Sequence, residues 1–119
     1  MLQLKSLDAG HVVGCVVDGK INSDDIDTIW KEIDRKFKGH EKLSIYVEVK
    51  NYGGISLDAF FEDLKRGYKH FSNFSKKAVV TDKNWIKKMT PVVNKIFPNI
   101  DVKCFSFEDK EKAIEWVQN

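Results

Sequence analysis

The chain has 119 residues, of which 42% are hydrophobic and 32% charged, a globular composition at the length expected of one domain spanning 1–119. Twenty Lys and Arg against eighteen Asp and Glu leave a net charge of +2, too small for a field that draws in polyanions, so nucleic acid is not an expected partner. No apolar run approaches membrane-spanning length, and Met1–Leu7 lacks the unbroken apolar stretch of a secretory signal, so a cytoplasmic protein without a transmembrane segment is expected.

The first strand signal is His11–Asp18, a valine-rich run between Gly10 and the turn pair Asp18-Gly19, with Leu2–Leu7 as its hairpin partner. Asn22 offers an N-cap, and Asp24 and Asp25 fall in the first turn of the helix it opens, where carboxylates oppose the positive end of the helix. Ile26, Ile29, Trp30, Ile33 and Phe37 form its apolar stripe, and Gly39 stops it. Leu43–Val49 then alternates apolar with Ser44, Tyr46 and Glu48, the period of a strand with one face in the core and the other at least partly wet.

After a loop at Tyr52-Gly53-Gly54, the spacing of Leu57, Phe60, Phe61, Leu64, Tyr68 and Phe71 predicts a second amphipathic helix capped by Ser56 or Asp58 and ending near His70. Ala78–Thr81 is a brief strand. Trp85, Ile86 and Met89 make one helical turn, and Thr90-Pro91 opens another that carries Val92, Val93, Ile96 and Phe97 until Pro98 halts it. Val102–Phe107 is the last strand and Glu108–Val117 the last helix, with Ala113, Ile114, Trp116 and Val117 facing inward. Alternation of this kind requires parallel strands joined by right-handed crossovers, so the expected fold is α/β with a mostly parallel sheet and an antiparallel amino-terminal edge strand.

Chemistry-bearing motifs are sparse. Cys15 and Cys104 each sit within an apolar run and read as reduced, buried thiols, with a bridge between them left open by the sequence. His11, His40 and His70 lack ligand spacing, so no metal is expected. Asp24, Asp25 and Asp27 point to different sides of their helix and make no acid/base pair. Gly53-Gly54 has neither the lysine of a phosphate-binding loop nor the spacing of a dinucleotide fold. No nucleophile elbow appears, and the expectation is a non-enzyme without a cofactor. Lys83, Lys87, Lys88 and Lys95 flank Trp85, Ile86, Met89, Val93 and Phe97, a mixture that suits an anionic membrane surface or an acyl chain and equally suits plain packing of a crossover helix.

The turn Asp18-Gly19-Lys20-Ile21 feeding an acidic helix start, the strand Leu43–Val49, the run Lys77-Ala78-Val79-Val80 followed by Asp82 and Trp85, and the closing segment Phe105–Trp116 together resemble the STAS-like domains of the SpoIIAA-like type, across essentially the whole chain. The resemblance implies a four- or five-stranded sheet with helices largely on one face, a free far face available for a homodimer, and a non-catalytic protein-interaction or regulatory role. In anti-sigma-factor antagonists of the wider family a serine after the third strand is phosphorylated to switch partner binding. The corresponding loop here is Asn51-Tyr52-Gly53-Gly54-Ile55-Ser56-Leu57, where the acidic residue before the serine is missing and Ser56 equally fits an N-cap.

The partner-binding residues implied by that correspondence are Tyr52, Gly53, Gly54 and Ser56. Comparison of the subfamily with Sec14-type domains implies an alternative role as a small-molecule or lipid-binding module with peripheral membrane contact. For that role Lys83, Trp85, Lys87 and Lys88 are the candidates.

Overall fold

The computed structural model describes residues 2–19, 22–51, 74–82 and 101–119. The strands β1 (Leu2–Lys5), β2 (Val12–Asp18), β3 (Leu43–Asn51), β4 (Phe74–Val80) and β5 (Asp101–Phe105) form one sheet in the order β1-β2-β3-β4-β5. β1 and β2 pair antiparallel, and every other neighbouring pair is parallel. Two helices are described, α1 (Ser23–Phe37) and, after a 3-10 turn at Phe107–Asp109, α2 (Lys110–Gln118). The helices expected after Ser56 and around Trp85–Phe97 lie outside the described residues. No described helix is long and apolar enough to cross a membrane.

Helix α1 begins where the residues at its entry satisfy its first amides. The Asp25 N–H donates to Asn22 Oδ1 at 2.9 Å while the Asn22 N–H donates to Asp25 Oδ2 at 3.1 Å, a reciprocal capping box. Asn22→Ala removes the side-chain acceptor and is expected to cost about 1 kcal/mol in urea unfolding, a loss Asn22→Asp avoids. At the other end Gly39 keeps a negative φ. The helix closes through a tight turn in which the Gly39 N–H donates to Lys36 O at 3.2 Å, without a left-handed glycine.

The two described helices take opposite faces of the sheet. Ile29 and Ile33 of α1 pack with Val13, Cys15, Val17, Leu43, Val47, Val49, Phe74 and Val79, whereas Ala113 and Val117 of α2 pack with Val12, Tyr46, Ala78 and Val80. Side chains alternate along each strand, so one strand serves both layers. The expectation that Ser44, Tyr46 and Glu48 face water is therefore corrected: all three are buried. Their polar atoms are not all abandoned, since the Ser44 hydroxyl meets that of Ser75 at 2.9 Å and Glu48 is ion-paired. This also removes the middle of the sheet from the free far face expected for dimer contacts, because α2 already occupies it.

Strand β4 begins at Phe74, four residues before the expected start, with Lys76 and Lys77 inside the strand. The ladder between β3 and β4 shifts between Leu43 and Ile45, where Leu43 faces Phe74 but Ile45 faces Lys77, so β4 carries one extra residue. The bulge puts Phe74, Lys77 and Val79 on the α1 side; an unshifted ladder would send Lys76 there instead. Cys15, Val47, Val79 and Cys104 lie in one row across four strands. Three strand spacings separate the two cysteines by about 14 Å, which no disulfide spans, and neither is in a disulfide.

Candidate functional site

Because β2 to β5 run parallel, their carboxyl ends share one edge of the sheet, the edge at which open α/β sheets place ligands. Asp18 ends β2 in register with Asn51 of β3, and Gly19 then turns the chain toward α1 at φ 78, a left-handed conformation that a side chain would strain. β4 continues past Val80 into buried Thr81, whose N–H donates to Phe105 O at 3.0 Å, and then into exposed Asp82. Tyr52, Gly53, Gly54 and Ser56 follow Asn51 in the chain, and Lys83, Trp85, Lys87 and Lys88 follow Asp82. All eight lie outside the described residues. What is described is their origin: both runs leave from neighbouring parallel strands at this one edge.

A second constellation, which local sequence patterns did not reveal, is built on β3. Glu48 is 3% exposed on the α2 face, accepts a hydrogen bond from Lys5 Nζ of β1 at 2.9 Å and lies 3.6 Å from Lys110 Nζ at the start of α2. Tyr46, two residues earlier on the same face, is fully buried with the Lys5 ammonium 5.8 Å from its ring centroid. Burial first, and then the neighbouring Glu48 charge, hold the phenol well above its ordinary range, so it stays protonated. Its hydroxyl is the one buried side-chain polar atom among the described residues without a hydrogen-bond partner. A doubly paired carboxylate beside a locked phenol fastens β1 and α2 to β3.

On the α1 face, Lys77 is 2% exposed, opposite Ile45 and Val102. Burial pushes its ammonium down to about 7. Burial likewise pushes the Cys15 thiol up to about 12, which leaves it protonated and unreactive. The sequence signal for Lys77 was present but pointed elsewhere, since Lys76-Lys77 suggests the flank of a strand.

Among the described residues, no three His, Cys, Asp or Glu side chains come together as a metal site. His11 and His40 do approach, with ring centroids 6.5 Å apart, at the amino-terminal end of β2 and β3 and away from the carboxyl edge.

No curated protein and no solved structure matches the chain at a significant level. A family model described as SpoIIAA-like matches residues 12–118. That span runs from the first residue of β2 to the last of α2 and takes in the parallel sheet, its carboxyl edge and both described helices. The chain therefore belongs to the SpoIIAA-like family.

Proposed function

We propose that this protein is a non-catalytic STAS-like regulatory domain that works by binding another protein through the carboxyl edge of its sheet, with Asn51–Ser56 as the contact loop. The observation that carries this reading is the packing of α1 and α2 on opposite faces of the sheet, while β2, β3 and β4 end together at an edge from which the candidate loop departs. Family membership supports the regulatory class. A second reading, a small apolar or lipid ligand near Lys83, Trp85, Lys87 and Lys88, is favoured by the same geometry, since that run starts at Asp82 beside the end of β3.

Native mass spectrometry of gently purified protein, followed by the denatured intact mass, separates the two. The first reading expects a stoichiometric protein partner whose recovery Tyr52→Ala abolishes without lowering the melting temperature. A lipid-sized adduct lost on denaturation, with no protein partner, would replace it with the second. A phosphate that survives denaturation and disappears in Ser56→Ala would add a switch to the first.

A further inference from the structure

Strand β5 ends the sheet, pairing with β4 and with no other described strand. None of its five residues is buried, whereas Lys77–Val80 of β4 are exposed by 2% or less. That is the pattern of an open edge, and open edges are templates for an added strand.

Beside it, on the α2 face, two cations converge on one indole. Lys76 Nζ stands 5.1 Å and Lys103 Nζ 5.4 Å from the Trp116 ring centroid, and Lys76 also donates to Trp116 O at 3.1 Å. Phe105 extends the platform, its ring centroid 6.1 Å from that of Trp116. The two ammonium groups are thus within about 11 Å of each other. Among the described residues neither has a carboxylate within 4.0 Å. Among the described residues Asp101, in register with Lys76, also forms no ion pair in that range.

We propose that the outer edge of β5 and the Lys76–Trp116–Lys103 platform together form a docking site for an extended acidic peptide segment of a partner protein, added to the sheet as a further strand. Main-chain hydrogen bonds along β5 supply affinity without regard to sequence, and alternate side chains supply the choice. A strand's period of two lays every second residue of the guest on the platform face, where carboxylates meet Lys103 and Lys76 and any ring edge or methyl group meets Trp116 and Phe105. Asp101 stands two residues before Lys103 on that face and repels an acid placed beside it, so it sets which residue of the guest lies opposite Lys103. This surface is separate from the carboxyl edge, and its test is independent of that reading.

Amide hydrogen exchange of the full chain, followed by NMR during titration with a short blocked peptide that alternates Glu with Val or Thr, tests the proposal. The acidic peptide is expected to slow exchange at alternate amides of Asp101–Phe105 and to bind more weakly as salt rises. Lys103→Glu should weaken it about tenfold, and Asp101→Asn should tighten it about threefold. The matching peptide with Lys for Glu should leave these amides unchanged. Equal binding of both peptides, shifts at Lys76, Lys103 and Trp116 without protection of β5, or a response to anionic lipid vesicles but not to the peptide would each overturn it. Those last two outcomes would mean that the lysine stems merely cover the indole, or that the platform reads a lipid surface.

Discussion

Lys77→Met is expected to stabilise the chain by about 2–4 kcal/mol at pH 7 and to abolish a rise in stability that the unmodified protein shows between pH 7 and 9. The ammonium's ordinary value is 10.5 and burial brings it to about 7, so between those values the unfolded chain holds a proton that the folded chain has lost. Stability therefore climbs as pH rises through this window, by about 2 kcal/mol between pH 7 and 9, and the penalty is fully present below 7. Cys15 acts in the opposite direction from pH 9 upward, because its thiol, ordinarily at 9.0, is held at about 12 and the unfolded chain alone loses the proton. Tyr46, raised by burial and by Glu48, adds to that decline at higher pH.

The unmodified protein should thus be most stable near pH 9, and Lys77→Met should show only the alkaline decline. Methionine suits the position because it is unbranched and apolar and fits an irregular space. The contacts Lys77 already makes offset part of the gain, which is why the lower figure is about 2. Urea unfolding across pH 6–10 reads both effects. A flat profile for the unmodified chain would mean that its ammonium stays charged and well paired in the folded state.

Lys77 also shows why parts of the fold were hidden in the sequence. Strands with a clean pattern were legible: valine-rich β2 between its turn signals, β3 by its alternation, and α1 by the Asn22 cap and its apolar stripe. The parallel topology followed from the alternation of elements. β4 was found only in part, because Ser75-Lys76-Lys77 interrupts its apolar run, and the bulge that turns Lys77 inward depends on pairing with β3, which no local window records.

The wet face assigned to β3 failed for a related reason. Ser44 and Glu48 are polar and buried because Ser75, Lys5 and Lys110 reach them, and those partners lie 31, 43 and 62 positions away. Their burial is a tertiary fact. Resemblance pointed to the run Asn51–Ser56 and the mixture of basic and aromatic residues to the run after Asp82, and the structure describes the common edge, at Asn51 and Asp82, from which both continue.

Gly14→Ala should be the most damaging single-methyl change among the described residues, costing about 2–4 kcal/mol in urea unfolding. A Cβ at Gly14 would stand 2.5 Å from the Lys5 carbonyl oxygen and 3.4 Å from the Leu7 side chain, and the first of these is backbone that no rotamer change relieves. Gly39 provides the comparison: its φ is negative and a Cβ there meets nothing within 4 Å, so Gly39→Ala should be neutral or gain up to about 1 kcal/mol by restricting the unfolded chain.

The loss at Gly14 has a second component beyond steric strain. Moving β1 away from β2 withdraws Lys5 from Glu48, and a carboxylate that is 3% exposed is left with Lys110 at 3.6 Å as its remaining cation. A double-mutant cycle separates the two. If Gly14→Ala costs at least about 1 kcal/mol less in a Glu48→Gln background, the strain reaches the buried ion pair through β1. Equal costs of about 2 kcal/mol or more in both backgrounds would confine it to the clash with the Lys5 carbonyl, and a loss below about 0.5 kcal/mol in the unmodified background would show that β1 shifts at little cost and that its pairing with Glu48 does not fix it.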